Sequence, residues 1–232
     1  VVGPGNNGGD GMVIARYLHA QGLRCELWVV ADRARLRGDA LTHLLAAESS
    51  GVVAQFCDRE TGLLQERVGS LTRSDVIVDA LLGTGVSRSV SGTLALAILH
   101  LNTSQAVKVS VDLPSGLDAD RGIPSDAGAD PVIVRADYSV TFGFPKLGLC
   151  GSPGLVFAGE IFVADIGIPD SLCDKHQVMT HLVDARVMSR LAKPRSPLLH
   201  KGSHGHLLLL AGSAGKLGAA IFHSDFMFSQ QG

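Results

Sequence analysis

Four oxygen-bearing side chains in this sequence have the types and placement needed to hold a hard cation. Asn7 lies in a segment, residues 3–11, that contains five glycines. Asp79 and Asp112 each follow a β-branched apolar run directly, and Ser115 lies just beyond the second run. Amide, carboxylate and hydroxyl oxygens without histidine or cysteine suit a hard cation rather than zinc. Because at most two of these groups are carboxylates, the set predicts a site for a monovalent ion.

The segment 3–11 is predicted to be a loop that holds a ligand. Glycine tolerates positive φ and lets another molecule approach the backbone, while asparagine and aspartate supply polar groups. Residues 12–21 then place apolar side chains at helical spacing, and Gly22 ends the pattern. The loop therefore opens the N-terminus of a helix, whose unpaired N–H groups and partial positive charge suit a phosphate or another anion.

The spacing of three glycines over residues 3–8 formally matches the dinucleotide fingerprint Gly-x-Gly-x-x-Gly. That fingerprint asks for an acidic residue about 20 positions further on, and Asp32 lies near that place. A Rossmann-type NAD-dependent oxidoreductase is therefore one interpretation of this loop. Two adjacent asparagines and Asp10 are unusual in a pyrophosphate turn and argue against it.

Each of these residues also has a simpler structural interpretation. A single glycine turn can be purely structural, and Asp79 or Asp112 alone could cap a turn or the next helix. Lys146 could clamp a phosphate, but a solvated loop lysine is the simpler interpretation. Three polar, glycine-bearing loops at successive strand ends favour a functional site over three independent turns.

Strands and helices alternate along the sequence. The predicted strands are residues 25–30, 52–56, 76–78, 107–111, 138–142 and 161–164, and the predicted helices are 12–21, 39–47, 61–71, 93–101 and 184–192. Continuously apolar strands that alternate with helices imply crossover connections and a parallel sheet covered on both faces. The sequence therefore predicts an α/β fold, a Rossmann-like doubly wound αβα sandwich with a mainly parallel sheet.

Three predicted strands run directly into the polar loops. Residues 1–2 look like the end of a strand and lead into the first loop, and the other two loops are 79–89 and 112–118. In open α/β sheets the ligand crevice forms outside the carboxyl ends of the strands. We therefore expect the three loops to lie together around one site.

Composition narrows the class of ligand. The chain has 232 residues, 46% apolar and 18% charged, which is ordinary for a soluble globular protein. A net charge of -2 argues against nucleic-acid binding, so we expect a small-molecule partner. The four cysteines form no C-x-x-C pair, and no apolar run approaches the roughly 20 residues of a membrane span. These features predict a reduced, cytoplasmic setting without membrane insertion.

The sequence predicts two domains. Residues 193–197 carry two prolines and two cations, which is typical of a linker, so the first domain is predicted to be 1–197. Residues 198–232 contain a predicted strand and a glycine loop but are too few to bury a core alone. We interpret them as the truncated start of a second domain. Residues before the first are also expected to be missing, because residues 1–2 look like the end of a strand.

The three loops together resemble the NAD(P)H-hydrate epimerase family. Its hallmark is the signature Gly5-Asn6-Asn7-Gly8-Gly9-Asp10-Gly11, and further matching blocks follow in order at 78–85, 112–118, 136–142 and 146–149. The resemblance covers residues 1 to about 195. Residues 200–220 are similar to the start of the ADP- or ATP-dependent NAD(P)H-hydrate dehydratase domain, a ribokinase-like domain that follows the epimerase in bacterial bifunctional enzymes.

The resemblance implies an isomerase of metabolite repair. Such an enzyme inverts C6 of the hydrated nicotinamide ring and converts the R form of NADHX or NADPHX into the S form that the dehydratase accepts. It also implies a homodimer, and it predicts no dehydratase activity for a chain with so little of the second domain. Related domains serve as interaction modules, so a non-catalytic binding or scaffold module of the same fold is the alternative.

The resemblance also implies roles for individual residues. K+ would be coordinated by Asn7, Asp79 and Ser115, with backbone carbonyls completing the shell. The substrate would contact Asn6, Asn7, Gly8, Gly9, Asp10, Gly83, Thr84, Gly85, Val86, Ser87, Arg88, Ser89 and Asp112.

Asp112 is the candidate catalytic residue. Inversion at a carbon that bears a hydroxyl group and an enamine-like nitrogen proceeds by loss and return of water or by ring opening. Both paths require a positioned proton donor and acceptor. The carboxylate of Asp112, near a cation and several N–H groups, is predicted to act as the base, and the returned proton would come from it or from a bound water.

Overall fold

The computed structural model describes residues 1–57, 62–73, 75–169, 171–183 and 185–191, together with residues 212, 213, 218 and 221. The chain divides into two compact units, Val1–Leu172 and Cys173–Gly232. The residues around the predicted domain boundary at 197, and nearly all of the predicted second domain, lie outside the described part. That boundary and the ribokinase-like assignment therefore stay predictions.

Across the two units, the described residues contain the strands and helices that the sequence predicts, together with short helices that it does not predict. The strands are β1 (Leu27–Val29), β2 (Ala54–Phe56), β3 (Val76–Asp79), β4 (Val107–Val111), β5 (Tyr138–Phe142) and β6 (Glu160–Ala164), and the helices are α1 (Asn6–Ala20), α2 (Gly38–Ser49), α3 (Gly62–Gly69), α4 (Gly92–Thr103), α5 (Leu147–Cys150), α6 (Leu155–Ala158), α7 (Ser171–Lys175) and α8 (Ala185–Leu191). Strands β4 and β5 have the predicted bounds. Helix α8 corresponds to the predicted helix 184–192, whose cap at 184 lies outside the described residues.

Helix α1 begins at Asn6, earlier than the sequence predicts, so the prediction of a loop over residues 6–11 is wrong. Glycine has a low helix propensity, so these residues disfavour a helix locally. They also let the helix pack closely against the residues that precede it. A Cβ on Gly8 would lie 1.9 Å from the carbonyl oxygen of Gly3, and one on Gly11 would lie 2.6 Å from Cγ1 of Val2. Only glycine permits this contact between the helix and the strand before it.

Val2 joins two groups of strands into one parallel sheet. Strand β1 pairs with β2, and β3, β4, β5 and β6 pair in that order, all in parallel. Val2 forms parallel bridges to both Val29 and Ala80. Its N–H donates to the carbonyl of Trp28 at 2.8 Å, and its carbonyl accepts from the N–H of Val30 at 2.8 Å. The spatial order is therefore β2, β1, Val2, β3, β4, β5, β6. From Val2 the chain first adds strands on one side of the sheet and then on the other, as in doubly wound folds, while all strands stay parallel.

Apolar cores cover both faces of this sheet. Leu27 and Val29 pack into a core with residues of α1 and α2, whereas Trp28 and Val30 pack into a core with residues of α3 and α4. This alternation follows from the strand, in which successive side chains point to opposite faces. The predicted αβα sandwich is confirmed. In the described residues no helix is both long enough and apolar enough to cross a membrane.

Candidate active site

The three predicted loops meet at the carboxyl ends of Val2, β3 and β4. Asn7 lies in the first turn of α1, and its amide Nδ2 donates to the carbonyl of Leu82 at 2.9 Å, which links the start of the helix to the loop after β3. The N–H of Leu82 donates to Oγ of Ser115 at 2.8 Å, which links this loop to the third. The expected convergence of the loops is therefore confirmed. It follows from the sheet order, because β3 lies between Val2 and β4.

Asp79 is completely buried at the centre of this cluster. Its Oδ2 accepts from the hydroxyl of Ser110 at 2.8 Å and from the N–H of Ser115 at 2.9 Å. Its Oδ1 accepts from the hydroxyl of Ser115 at 2.6 Å and from the N–H of Leu81 at 3.3 Å. Burial raises the pKa of Asp79, and these hydrogen bonds oppose the rise. Among the described residues no lysine, arginine or histidine side chain forms an ion pair with it.

Asn7, Asp79 and Ser115 fit a monovalent cation by the chemistry of their donor atoms. Ser115 is fully buried, and its Oγ lies 3.2 Å from the carbonyl oxygen of Leu82, the same carbonyl that Asn7 contacts. The set therefore offers one carboxylate together with hydroxyl, carbonyl and amide oxygens. Within the described ranges no group of three acidic, histidine or cysteine side chains is arranged to hold a metal. A single negative charge among neutral oxygens matches an alkali ion better than a divalent one.

Ser115 is held in place by the apolar residues on both sides of it. Leu113 and Leu117 are fully buried and pack in a third core with Ile133. Gly116 has φ 97°, and a Cβ there would lie 2.3 Å from the carbonyl oxygen of Val132. The loop after β4 is thus fixed by packing on one side and by a glycine-only turn at its centre.

Asp112 lies beside this cluster but forms different hydrogen bonds. Its backbone has φ 66°, in the left-handed region that non-glycine residues rarely occupy. Its N–H donates to the carbonyl of Val140 at 2.8 Å, which ties it to β5. Its Oδ1 accepts from the N–H of Phe142 at 3.1 Å and from the hydroxyl of Thr141 at 3.2 Å. These contacts direct the carboxylate toward β5 rather than toward the donors around Asp79.

Lys146 is the residue whose surroundings the sequence analysis predicts wrongly. Its Nζ forms an ion pair with Oδ1 of Asp112, and its side chain is only 19% exposed. The same ammonium donates to Oγ1 of Thr141 at 3.0 Å and to the carbonyl of Phe142 at 2.9 Å. The interpretation of Lys146 as a solvated loop residue is therefore wrong. Applying the strand-end argument to β5, the neighbour of β4, would have found it.

The start of α1 offers free backbone donors near these groups. Gly5 is the N-cap residue and provides no side-chain hydrogen bond, and no acidic residue lies in the first turn. The first N–H groups of the helix are therefore available to an anion. Of the predicted contact residues here, Asn7, Gly8 and Gly9 are buried, whereas Asn6 and Asp10 are exposed.

The charge of Asp112 affects the pKa of Asp10. Partial burial raises the pKa of Asp10, the neighbouring His43 opposes the rise, and the carboxylate of Asp112 adds to it. The electrostatic effect requires that the two carboxylates lie within interaction range. Asp10 therefore belongs to the same region of the molecule as Asp112.

The loop 83–89 borders a shallow cavity of about 330 Å³. The cavity is lined by Leu82, Gly85, Val86, Ser87, Arg88, Val90, Ser91 and Leu94. The far end of the loop is fixed because the N–H and hydroxyl of Ser89 bind the carboxylate of Asp126 at 2.8 and 3.0 Å. A different cavity of about 640 Å³ lies at the amino ends of the strands, beside Val1, and its lining includes none of the predicted site residues.

Asp32, the acidic residue in the dinucleotide fingerprint, has a local role. Its Oδ1 accepts from the N–H of Ala34 at 2.8 Å and caps the short 3-10 turn Arg33–Arg35. Capping of this kind is a common duty of aspartate at the start of a helical turn. The capping contact lends no support to the alternative of a hydride-transferring Rossmann enzyme.

The fold and the site define a doubly wound α/β domain with a candidate ligand site where the strand order reverses. The sequence matches the family described as YjeF-related protein N-terminus over residues 1–148, more than half of the chain. The chain belongs to this family, and its predicted resemblance to NAD(P)H-hydrate epimerases is confirmed by its relatives.

Two kinds of relative are similar to the chain. The bifunctional NAD(P)H-hydrate repair enzyme Nnr of Thermofilum pendens is 38% identical over 226 residues, which are 97% of this chain and 41% of that protein. The NAD(P)H-hydrate epimerase of Rhodopirellula baltica is 34% identical over 76% of this chain and 68% of its own length. That of Oenococcus oeni is 36% identical over 72% of this chain and 73% of its own. The chain therefore spans about two fifths of the bifunctional relative.

The fold is also found in a solved structure. The crystal structure of yeast ynu0 aligns with a TM-score of 0.59 and 24% sequence identity. The alignment covers 75% of this chain and 69% of the yeast chain. At this identity the likeness supports the fold and nothing more specific.

Proposed function

We propose that the first domain is an NAD(P)H-hydrate epimerase that converts the R form of NADHX or NADPHX into the S form. The names of the relatives support this activity, because proteins called NAD(P)H-hydrate epimerase align over most of both chains. One observation carries the proposal for this chain. The buried oxygen cluster of Asn7, Asp79 and Ser115 is joined by hydrogen bonds across the loops that follow Val2, β3 and β4.

The proposed cofactor is K+, held by Asn7, Asp79 and Ser115 with help from backbone carbonyls such as that of Leu82. When bound, the ion supplies a positive charge at the buried end of the substrate pocket. Asp79 provides the one negative charge, and its four neutral donors hold the carboxylate in a fixed orientation. The residues thus form a preorganised ligand set rather than a flexible one.

The proposed substrate pocket lies between the start of α1 and the loop 83–89. The unpaired N–H groups at the start of α1 would bind the diphosphate, because a helix N-terminus favours anions. The proposed substrate contacts are Asn6, Asn7, Gly8, Gly9, Asp10, Gly83, Thr84, Gly85, Val86, Ser87, Arg88, Ser89 and Asp112. The exposure of Asn6, Asp10 and Arg88 leaves their side chains accessible to such a ligand.

Asp112 is proposed to transfer the proton during inversion. On either path, loss and return of water or ring opening, a proton moves to or from the C6 hydroxyl group. Once the hydroxyl group is on the opposite face of the ring, the same proton transfer runs in reverse. No proton is gained or lost overall. Asp112 would perform both transfers, directly or through a bound water, since its side chain is 14% exposed.

The bifunctional relative, which aligns over 97% of this chain, supports a wider assignment for the second segment. We propose that residues 198–232 begin a dehydratase domain and that this chain alone has no nucleotide-dependent dehydratase activity. We also propose a homodimer in the cytoplasm, with a small molecule rather than nucleic acid as its partner. Measurable ADP- or ATP-dependent recovery of NADH from S-NADHX by the chain alone would contradict the first of these statements.

The experiment that tests the proposal couples the chain to a separate S-specific dehydratase. A mixture of R- and S-NADHX is incubated with the dehydratase and its nucleotide until the S form is consumed, and the 232-residue chain is then added. We expect NADH absorbance to rise again in K+ buffer, because the remaining R form becomes S. A folded chain that binds the dinucleotide and leaves the R form unchanged would identify a binding module instead.

A further inference from the structure

We propose that Lys146 is a positioning residue that fixes the carboxylate of Asp112 for proton transfer, and that it does not bind a substrate phosphate. The inference rests on the proposed epimerase function and names a residue that this function does not by itself assign. Three geometric features of Lys146 and Asp112 carry it.

The first feature is that the hydrogen-bonding capacity of Lys146 is already used. A lysine ammonium has three N–H donors. Its three acceptors are all protein atoms, namely Oδ1 of Asp112, Oγ1 of Thr141 at 3.0 Å and the carbonyl oxygen of Phe142 at 2.9 Å. No N–H remains for a phosphate oxygen. A phosphate clamp would have to break one of these contacts first.

The second feature is the asymmetry of the Asp112 carboxylate. Oδ1 accepts from Lys146, from the hydroxyl of Thr141 and from the N–H of Phe142. Oδ2 receives no hydrogen bond from the part of the chain that the structure describes, while the side chain is 14% exposed. All the donors that the described residues offer to this carboxylate thus converge on one oxygen. The other oxygen keeps its lone pairs available for a substrate proton.

The third feature is the backbone at Asp112. Its left-handed φ of 66° sets an unusual direction for the Cα–Cβ bond, and its N–H is bound to the carbonyl of Val140. Non-glycine residues keep such a conformation only where the surroundings enforce it. With the backbone fixed at one end and Oδ1 fixed by Lys146 at the other, the carboxylate is held in one orientation. Removing Lys146 would let it rotate away.

The test replaces Lys146 by methionine, which keeps the length of the stem and removes the ammonium. We expect kcat for R-NADHX to fall by about 100-fold, the cost of misplacing a catalytic group by about 1 Å, while KM changes less than about threefold. A rise in KM of about 100-fold with kcat retained would overturn the proposal, since this pattern identifies a substrate clamp.

Lys108→Met is the matched control. Lys108 lies on β4, its side chain is 11% exposed, and its Nζ donates to the carbonyls of Ser104 and Ala106 at 3.3 and 3.1 Å. Both lysines are therefore largely buried and bonded to backbone carbonyls, but Lys108 pairs with Asp137 instead of Asp112. We expect kcat of this variant to stay within about twofold of the wild-type value, since no proposed site residue is touched. An equal loss in both variants would contradict the proposal.

A double-variant cycle separates positioning from general support of the fold. If Lys146 acts only through Asp112, then in the Asp112→Asn background the further change Lys146→Met lowers the residual kcat by less than about twofold. Independent losses that multiply would overturn the proposal. The comparison needs only that both single variants melt cooperatively.

A measurement on the unaltered protein covers the case in which the variant does not fold or the protein shows no epimerase activity. The ammonium signal of Lys146 in a ¹H–¹⁵N spectrum should be visible because its protons are held by three acceptors, and it should be lost in Asp112→Asn. A rapidly exchanging ammonium in the wild-type protein would overturn the positioning role. Absence of R-NADHX turnover with this signal present would refute the proposed function and leave the contact itself standing.

Discussion

Asp79 and Asp112 begin from the same sequence context and end in opposite environments. In the sequence, each comes directly after a run rich in β-branched residues and just before a polar loop. Asp79 is completely buried among neutral donors, whereas Asp112 is partly exposed, adopts a left-handed backbone and pairs with Lys146. A buried carboxylate with only neutral partners favours a bound cation. A partly exposed carboxylate with one oxygen that no described residue hydrogen-bonds is suited to move a proton.

The difference shows how one fold separates two tasks at adjacent strand ends. Asp79 faces Ser110 because the parallel register places these two residues opposite each other on β3 and β4. Asp112 is beyond the last residue of β4 and binds to β5 instead. Position relative to the end of the strand, rather than residue type, therefore decides which neighbours each carboxylate meets.

The largest expected effect is on turnover by Asp112→Asn. The amide cannot accept the substrate proton as a carboxylate does, so we expect kcat to fall on the order of 10³-fold. Binding of NADPH, measured by calorimetry, should change less than about threefold because the N–H groups of α1 are untouched. Near-normal turnover in this variant would remove the distinction between the two carboxylates.

The next effect is on ion response in Asp79→Asn. The side-chain amide of asparagine has the same shape as the carboxylate, but its N–H groups would face the N–H and hydroxyl donors that bind Asp79. We therefore expect a loss of about 2 kcal/mol in the free energy of unfolding. The stabilisation that K+ gives the wild-type protein over tetramethylammonium in urea titrations should disappear. Retention of the full K+ response would show that Asp79 does not hold the ion.

Ser110→Ala is the control for Asp79. It removes one neutral donor to the same carboxylate but none of the proposed ligands. We expect a loss of about 1 kcal/mol in stability and an unchanged response to K+.

A smaller effect is expected from Thr141→Val, which sharpens the account of Asp112. Thr141 is fully buried and contacts both Asp112 and Lys146. Loss of its hydroxyl should lower kcat about tenfold, a change of about 1.4 kcal/mol in the barrier. Ser139→Ala, on the same strand, removes a buried hydroxyl bonded to the carbonyl of Ala158 and should leave kcat unchanged. Equal kinetic loss in the two variants would contradict the assignment.

The smallest effect on stability is expected from a change at Glu26, a third carboxylate, which forms an ion pair with Arg67 at the protein surface. The guanidinium of Arg67 donates to it at 2.8 and 2.9 Å, and this hydrogen bonding is the main cause that lowers the pKa of Glu26. The pKa of Glu26 is lower in the folded protein than in the unfolded chain. The ion pair therefore stabilises the protein fully at a pH above the unfolded pKa, and this stabilisation is lost as the pH falls through the folded pKa. Glu26→Gln should therefore cost about 0.5 kcal/mol at pH 7, and urea titrations should show the difference shrinking below pH 4.5. A difference that grows on acidification would contradict the sign.

Much of the fold and part of the site could be predicted from the sequence. Runs rich in β-branched and other apolar residues identify the strands, and the carboxyl ends of the strands locate the segments that carry Asn7, Asp79 and Ser115. The start of α1 could not be predicted by propensity, because its glycines are explained by contacts with Gly3 and Val2 that only the folded chain makes. The partnership of Asp112 with Lys146 likewise depends on β5 lying next to β4.

The most direct test of the central claim is to incubate purified R-NADHX with the 232-residue chain and follow the two epimers by chromatography. With K+ present, the account predicts rapid formation of S-NADHX until the epimers reach equilibrium, and a rate at least about tenfold lower when K+ is replaced by tetramethylammonium. If R-NADHX persists at its uncatalysed rate with a folded chain in K+, the cluster of Asn7, Asp79 and Ser115 is not the centre of an epimerase.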